Sequence, residues 1–377
     1  MGKPFAEKTF QHFERITDPR TNRGKNHSLP EMIFLTLCAT ICGADSWADV
    51  ERYGKAKLDW LRQFVPFEGG VPSHDTLGRV FARLDSLEFY ACLHSWVVDI
   101  CQSVRGQTVA LDGKTLRGSF DRASEQSPLH SVSAWVCGLK MCLGLKSVDD
   151  KSNEIPAVQE LIAMLDLEGA IITADAMHCQ RETAKAIIDK KADYLLMAKG
   201  NQPALSEALN QTLLKAMESD DGQTRRISKT RKSRNREETR EVVVMRCPDN
   251  HPLLKQWPSL QTIGVIHRRR ECDGKIEEAS ETFITSLPCK VRSIAQHLGN
   301  HWSIENQQHY ILDVTFNEDS SWIRKGSGPE ISSVFRRLAL TILQKDTSTK
   351  DWISGKRKRC GWNNEALQMV LACFSKN

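Results

Sequence analysis

From residue 108 onwards, short apolar runs alternate with helix-like patterns, and two of these runs lead directly into an aspartate. Asp112 follows the run Thr108–Leu111, and Asp175 follows Ile171–Ala174. Runs of this length and composition are typical of strands buried on both faces of a sheet. A carboxylate buried at the end of such a strand is costly unless it is paired or holds a cation. The pattern therefore favours an α/β fold with a functional site where these strands end.

The order of the elements narrows the fold further. After the first strand, two further strand-like runs flank a short turn, His130–Val136 and Met141–Val148. A helical pattern precedes the run Ile171–Ala174 and another follows it, Glu154–Leu167 and Arg181–Lys190. A last apolar run is Tyr194–Ala198. A hairpin meander followed by strand–helix–strand crossovers gives a mixed sheet with helices packed on it. We therefore predict a ribonuclease-H-like core, with both aspartates at the carboxyl ends of strands, where open α/β sheets bind ligands.

A third acidic residue, Glu305, lies in the dense segment His301–Asn306. Five residues around it recur at helical spacing and are expected on one face of a helix: Leu298, Trp302, Glu305, His309 and Leu312. An acid within a core-facing stripe makes sense if that face meets the two aspartates. Since Mg²⁺ binds a few carboxylates together with water and substrate phosphates, we predict a divalent metal site for Mg²⁺, with Mn²⁺ as the alternative ion.

Other polar residues near these acids have simpler interpretations. Asp313, Glu318 and Asp319 follow Glu305 closely, but they fall off its helical stripe or beyond the helix and rank lower as metal ligands. His178, three residues after Asp175, is a candidate metal ligand or general base. We expect it instead to be a hydrogen-bonded histidine.

The first hundred residues read as helical. Pro30 suits the first turn of a helix, and Ser46 and Ser73 are candidate N-caps. We predict an all-helical N-terminal domain over residues 1–104. Bundles of short helices are common, so this pattern alone assigns no partner.

Positive charge is concentrated in one segment. The formal net charge is +5, and residues 224–240 alone hold eight Arg or Lys residues against two Glu. This segment is either a solvated loop or an arm that follows a phosphate backbone. It begins a β-rich insertion over residues 204–289, with strands expected at Glu241–Arg246, Thr262–Arg270 and Glu281–Ser286. A second basic run, Lys356–Arg359, lies in a predicted C-terminal tail over residues 346–377, and together the two runs favour a polyanionic partner.

Composition excludes several classes of protein. With 377 residues, 40% hydrophobic and 26% charged, the chain suits two or three globular domains. Its longest apolar stretch, Met32–Ala44, is too short to span a bilayer, and the N-terminus lacks the apolar core of a secretory signal. The 12 cysteines form no CxxC pair, which favours reduced, buried thiols without structural zinc. We expect no membrane association and a cytoplasmic location, in a bacterium one with access to the nucleoid.

A series of motifs runs in order along nearly the whole chain. They are Asp18-Pro-Arg20, CGADSW (Cys42–Trp47), VPSHDTLGRVF (Val71–Phe81), LDGKTLRGS (Leu111–Ser119), DKSNEIPAV (Asp150–Val158), TADAMHCQ (Thr173–Gln180), AKGNQ (Ala198–Gln202), HWSIEN (His301–Asn306), LDVTFNED (Leu312–Asp319) and IRKGSGPE (Ile323–Glu330). In these motifs the chain resembles the DDE transposases of ISAs-type insertion sequences, also called H-repeat-associated proteins.

The resemblance implies roles for the three acids. Asp112, Asp175 and Glu305 match the DDE triad, whose carboxylates hold divalent metal and make up the catalytic site. It also implies a catalytic core over residues 105–203 and 290–345, interrupted by the β-rich insertion. Two departures are visible: Gly299 stands where relatives usually have arginine, and Gln308-His309-Tyr310 stands where relatives often read Leu-His-Trp.

The implied activity is metal-dependent cleavage at insertion-sequence ends and strand transfer into target DNA. The implied partners are double-stranded DNA, both the inverted-repeat ends and the target, and a second copy of the chain to pair two ends. The N-terminal domain is then the probable DNA-binding domain.

Residues expected to contact or orient this DNA lie near the metals, in the basic segment or in the last motifs of the series. They are Lys114, Arg117, Lys199, Asn201, Gln202, Arg225, Arg226, Arg231, Lys232, Arg234, His301, Trp302, Asn306, Arg324 and Lys325.

Two alternatives stay open at this point. One is a nuclease of the same fold that cuts DNA without joining strands, and the other is an inactive DNA-binding relic of a transposase. Labelled element ends separate the three, because only a transposase both cuts and joins.

Overall fold

The structure is a computed structural model that describes residues 3–21, 25–101, 103–120, 127–148, 153–219, 222–233 and 235–375. Its N-terminal part is helical, as predicted. The helices are α1 (Lys3–Phe13), α2 (Leu29–Ile41), α3 (Trp47–Leu61), α4 (His74–Phe81) and α5 (Ser86–Cys101). Both predicted N-caps are confirmed: Ser73 accepts a hydrogen bond from Thr76 N, and Ser46 forms a reciprocal capping box with Asp49.

The ribonuclease-H-like core is confirmed in the next segment. Its elements are β1 (Thr108–Thr115), β2 (His130–Val136), β3 (Met141–Ser147), α6 (Glu154–Met164), β4 (Ile171–Ala174), α7 (Arg181–Asp189) and β5 (Asp193–Ala198). The strands lie in the order β3-β2-β1-β4-β5, and β2 runs antiparallel to both of its neighbours, β1 and β3. β4 pairs parallel with β1, and β5 pairs parallel with β4. The crossover helices α6 and α7 join the parallel strands, as βαβ units require.

One prediction about β1 is wrong. Asp112 does not end the strand, because β1 continues to Thr115 and pairs with β2 along its whole length. What ends at Leu111 is the parallel pairing with β4, where Leu111 lies opposite Ala174. A strand can stop pairing with one neighbour while it still pairs with the other, and an apolar run in the sequence does not show which pairing ends.

The inserted segment continues the same sheet. It comprises α8 (Pro203–Glu218), β6 (Thr224–Ser233), β7 (Arg236–Arg246), β8 (Thr262–Cys272) and β9 (Lys275–Thr285). β9 pairs antiparallel with β5, so the complete sheet has nine strands in the order β3-β2-β1-β4-β5-β9-β8-β7-β6. The β-rich character of this segment is confirmed, and its strands are longer than predicted.

The described part of the basic segment is therefore not a solvated loop. Residues 224–233 form the edge strand β6, and residues 236–240 begin β7. Cross-strand contacts offset the scarcity of apolar side chains: Lys232 Nζ lies 2.9 Å from Glu237 Oε2, and the hydroxyls of Thr230 and Thr239 are 3.0 Å apart. Each such pair contributes about 0.2–1 kcal/mol. The cations remain on the surface of the hairpin.

The chain returns to the core through helices. They are α9 (Val291–His301), a π-helical segment (Glu305–His309), α10 (Tyr310–Val314), α11 (Gly328–Lys345), α12 (Ile353–Trp362) and α13 (Asn364–Ser375). α11 is buried along almost its whole length and packs against α2, α5 and β3. The Phe335 ring meets those of Phe81 and Phe89 at centroid distances of 5.6 and 5.3 Å, which packs the N-terminal helices against the ribonuclease-H-like core.

The prediction of a basic C-terminal tail does not hold. α12 and α13 pack on α1, α2 and α11, and two of the four cations in the basic run are buried. Arg357 donates hydrogen bonds to the Thr40 carbonyl at 3.1 Å and to Asp45 at 2.7 Å, while Lys356 donates to the Leu343 carbonyl at 3.1 Å. These cations satisfy buried acceptors, so they are unavailable to a polyanion. None of the described helices combines the length and apolarity that a membrane span requires.

Candidate metal centre

The centre of the sheet places the two aspartates side by side. Because β1 and β4 are parallel neighbours and Leu111 lies opposite Ala174, Asp112 and Asp175 leave that pairing at the same level. Asp112 is mostly buried, with 18% of its side chain exposed, whereas 60% of the Asp175 side chain is exposed. The pairing thus sets one buried and one open carboxylate at the same edge.

Glu305 reaches this edge from the helical segment above it. The turn from Glu305 to His309 is π-helical, a rare geometry that is frequent at functional sites. The predicted stripe is only partly correct, because Leu298, His309 and Leu312 are buried but 63% of the Glu305 side chain is exposed. The carboxylate therefore faces an open site beside the core.

His309 joins these acids and was not predicted as a site residue. Its Nδ1 lies 3.5 Å from Asp112 Oδ2 and 3.8 Å from Glu305 Oε2. One ligand atom from each of Asp112, Glu305 and His309 falls within 4.8 Å of the other two. The sequence signal was present, since His309 is four residues after Glu305 on the same helical face.

This donor set fits a divalent cation. Carboxylate oxygens suit Mg²⁺ and Mn²⁺, and imidazole is a common ligand of first-row transition metals. The electrostatic surroundings of Asp112 also suit a cation site. Burial, and then repulsion by Glu305 and Asp175, raise its pKa to about 8, so at neutral pH a proton occupies the place that a cation would take.

Asp175 stands slightly apart from this compact group. His301 Nε2 lies 3.4 Å from Asp175 Oδ1, and His301 Nδ1 lies 3.0 Å from the Thr173 hydroxyl. The hydrogen bond with His301 lowers the pKa of Asp175. The pKa of Glu305 is likewise lowered, chiefly by its hydrogen bond with His309. Two ionised carboxylates thus flank a protonated one.

A second polar cluster supports the floor of the site. The Glu154 carboxylate bridges His130 Nε2 at 2.5 Å and His178 Nε2 at 3.1 Å. Burial opposes its ionisation, but these two hydrogen bonds lower its pKa to about 2. A Cβ at Gly113 would lie 2.5 Å from Glu154 Oε1, so the glycine beside Asp112 makes room for this carboxylate. The interpretation of His178 as a hydrogen-bonded histidine is confirmed.

The three rival acids have other partners. Glu318 is fully buried, and its Oε1 accepts a hydrogen bond from Arg337 Nη1 at 2.7 Å. Asp313 and Asp319 accept hydrogen bonds from Lys114 Nζ at 2.6 and 3.3 Å. These contacts give all three acids a structural explanation.

The same contacts change the interpretation of Lys114. Only 8% of its side chain is exposed, and two carboxylates hold its ammonium group, so a phosphate would have to displace them. Arg117, by contrast, is 84% exposed. Lys199 is half exposed and lies 3.1 Å from Glu281 Oε1.

Most of the other predicted DNA contacts are exposed or half-buried. The guanidinium groups of Arg240 and Arg268 lie 4.7 and 4.6 Å from the ring centroid of Trp302. This links the inserted strands to the end of α9. Asn201 and Gln202 donate hydrogen bonds to the carbonyls of Ala176 and Cys179, which ties their loop to the segment after Asp175.

The remaining predicted contacts differ in their exposure. His301 is buried against Asp175, whereas Asn306 is exposed and donates to the Trp302 carbonyl at 3.5 Å. Four of the predicted contacts are exposed on β6, namely Arg225, Arg226, Arg231 and Lys232. After α10, Arg324 is half-buried and Lys325 is exposed. Arg234 lies outside the described residues.

Comparison with known proteins gives a consistent result. The DDE_Tnp_1-associated family matches residues 10–97, and the Transposase DDE domain family matches residues 105–342. The chain is 36% identical to "Putative transposase YncI" of Escherichia coli O157:H7, covering 96% of this chain and 93% of that protein. It is 35% identical to "H repeat-associated putative transposase YhhI" of Escherichia coli strain K12, covering 97% and 98%.

Two further similarities are more limited. "Inactive transposase YbfQ" of Escherichia coli strain K12 is 39% identical over 77 residues, which is 20% of this chain and 92% of that protein. A piggyBac transposase synaptic complex with hairpin DNA, solved by cryo-EM, matches at a TM-score of 0.41 and 11% identity, covering 98% of this chain and 77% of the other. That structural likeness is too distant to carry an argument.

Proposed function

Because this chain belongs to the H-repeat family of DDE transposases, we propose that it cleaves the ends of its own insertion sequence and joins them to target DNA. The observation that carries the proposal is the grouping of Asp112, Glu305 and His309 within 4.8 Å, at the sheet edge that also holds Asp175. Direct attack of a hydroxyl on a phosphodiester needs no covalent enzyme intermediate, and the site contains carboxylates suited to cation binding.

Each residue of the centre has a role in this proposal. Asp112, Asp175 and Glu305 would hold divalent cations, Mg²⁺ first, and His309 would add an imidazole. When bound, such cations activate the attacking oxygen and stabilise the leaving 3′ oxygen. Asp112 would hold a cation in its ionised form, because a proton and a cation compete for the same carboxylate. His301 holds the Asp175 side chain in position through its ring nitrogen.

DNA would reach the centre across a positively charged surface. The edge strand β6 carries exposed cations, and Arg117 and Lys325 are exposed as well. Contacts of this kind bind the phosphate backbone through counterion release and weaken as salt rises. We propose that the N-terminal helices also contact DNA and that two copies pair two ends, in a protein that works on the bacterial nucleoid.

An inactive DNA-binding relic is the second candidate. The feature that favours it is Gly299, which stands at a position where relatives usually have arginine. A Cβ at this position would meet no atom within 4 Å, so the change leaves the helix intact and opens onto a groove below β6 and β7.

One assay separates the candidates. Labelled duplexes carrying the element's inverted-repeat ends are incubated with the protein, Mg²⁺ and a circular target DNA. Cleavage with joining supports the transposase, and cleavage without joining supports a nuclease. Binding without cleavage in Mg²⁺ or Mn²⁺ supports the relic and refutes the proposed activity. Omitting metal is the control for nuclease contamination.

A further inference from the structure

A cleft of about 620 Å³ separates the N-terminal helices from the catalytic core. Ser46 and Trp47 line it from the start of α3, and Gly78 lines it from α4. Trp322, Arg324 and Lys325 line it from the segment before α11. The lining comes from sequence motifs on both sides that the metal centre does not use.

Trp322 is the unusual residue of this cleft. It is 80% exposed, although a tryptophan usually buries most of its surface. The guanidinium of Arg324 lies 4.8 Å from its ring centroid and 4.6 Å from that of Phe120. Arg324 is itself anchored, because its Nε donates to the Gly118 carbonyl at 3.0 Å. An exposed aromatic ring is thus held against a fixed cation.

The charges around the ring favour an anionic ligand. Among the described residues, neither Arg324 nor Lys325 has a carboxylate within ion-pair distance. Within the described part of the chain, Asp45 is the one acid that lines the cleft, and it is already engaged: its Oδ1 accepts from Arg357 at 2.7 Å and its Oδ2 from Asn317 at 2.7 Å. An apolar, partly aromatic cleft whose rim carries cations without a carboxylate partner among the described residues suits a base and its phosphate better than an apolar peptide.

The cleft is connected to the metal centre by a short path. β1 carries Asp112 and leads directly to the turn Arg117–Ser119. There Gly118 packs so closely that an added Cβ would lie 2.6 Å from the Ser321 carbonyl oxygen. The six residue steps from Asp112 to Gly118 span at most about 22 Å, a distance that a DNA strand covers in about six nucleotides.

From these observations we propose that the cleft binds an unpaired DNA base close to the cleaved end. The base would stack on Trp322, and Arg324 and Lys325 would contact its phosphates. Aromatic stacking of this kind accepts any base, and removal of the ring weakens binding roughly five- to hundredfold. The proposal rests on the proposed function, since it requires DNA at the metal centre.

The test compares three variants of the full chain by fluorescence anisotropy. The probes are a labelled 25-nucleotide single strand of mixed sequence and the blunt duplex of the same sequence. Trp322→Ala is expected to weaken single-strand binding roughly five- to hundredfold and duplex binding less. Trp322→Phe should recover most of the loss. Trp352→Ala is the matched control, because Trp352 is 85% exposed on another surface, and it should bind as the parent does.

Other outcomes overturn the inference. Equal single-strand affinity of Trp322→Ala and Trp352→Ala would show that the ring does not bind a base. A parent dimer that Trp322→Ala converts to monomers in sedimentation without DNA would identify a second copy as the occupant. Cleavage activity distinguishes the two levels of failure: if the Trp322 variants cleave normally and bind normally, only the cleft assignment fails, whereas a parent that never cleaves refutes the function.

Discussion

Replacing Asp112 by asparagine is expected to stabilise the metal-free protein at pH 8 and to abolish its stabilisation by Mg²⁺. The amide keeps the size of the side chain and an oxygen that can accept the hydrogen bond from Gly113 N, 2.9 Å long in the parent. It removes the charge that burial and the repulsion from Glu305 and Asp175 oppose.

The magnitude follows from the shift in pKa. The pKa of Asp112 rises from 3.8 to about 8 on folding, and one pKa unit corresponds to about 1.36 kcal/mol. The folded state holds this proton more tightly than the unfolded state does. Its contribution to stability is therefore complete below about pH 4 and is lost as the pH rises towards 8. The loss amounts to at most about 6 kcal/mol.

The assay is thermal unfolding in EDTA at pH 5.5 and pH 8, followed by the same scans in Mg²⁺. The Tm of the parent should fall by several degrees more than that of Asp112→Asn between the two pH values. Mg²⁺ should raise the Tm of the parent at pH 8 but not that of the variant, because a ligand stabilises only the state that binds it. Glu160→Gln, which alters an exposed carboxylate on α6, is the control. Parallel pH profiles for parent and Asp112→Asn in EDTA would refute the reasoning.

Two further predictions concern stability and DNA affinity. Arg337→Met leaves Glu318 buried without its partner and should lower the free energy of unfolding by about 3–5 kcal/mol, measured by urea denaturation; an unchanged midpoint and slope would contradict the buried ion pair. Arg231→Gln with Lys232→Gln removes two exposed cations from β6 and should reduce the slope of log affinity against log salt by nearly two. An unchanged slope in a salt titration of duplex binding would place the DNA elsewhere.

Part of this architecture could be predicted because its signals are local. The buried strands β2 and β4 match the predicted runs in their bounds or nearly so, since apolar side chains on both faces leave a continuous pattern in the sequence. The edge strand β6 escaped notice because its side chains are mostly exposed and charged. Its pairing with β7 depends on cross-strand contacts that only the folded hairpin brings together.

The residues of the site likewise divide into those that local sequence patterns predict and those that they do not. Asp112, Asp175 and Glu305 were found as acids in or beside apolar patterns, and the fold brings them to one edge. Lys114 was expected to face DNA, but the acids that hold it are about 200 residues further along the chain. No local signal announces such a partner. His309, by contrast, lies four residues after Glu305, so the helical spacing already placed these two side chains on one face.

The most direct test of the account is cleavage of labelled element ends in Mg²⁺ by the parent and by Glu305→Gln, with Glu160→Gln as the control. Glu305 lies on the open side of the metal centre and is 63% exposed, so its replacement should leave folding and DNA binding unchanged. The account predicts that the parent and Glu160→Gln cut the DNA and that Glu305→Gln binds it without cutting. Cleavage by Glu305→Gln at the parental rate would contradict the central claim.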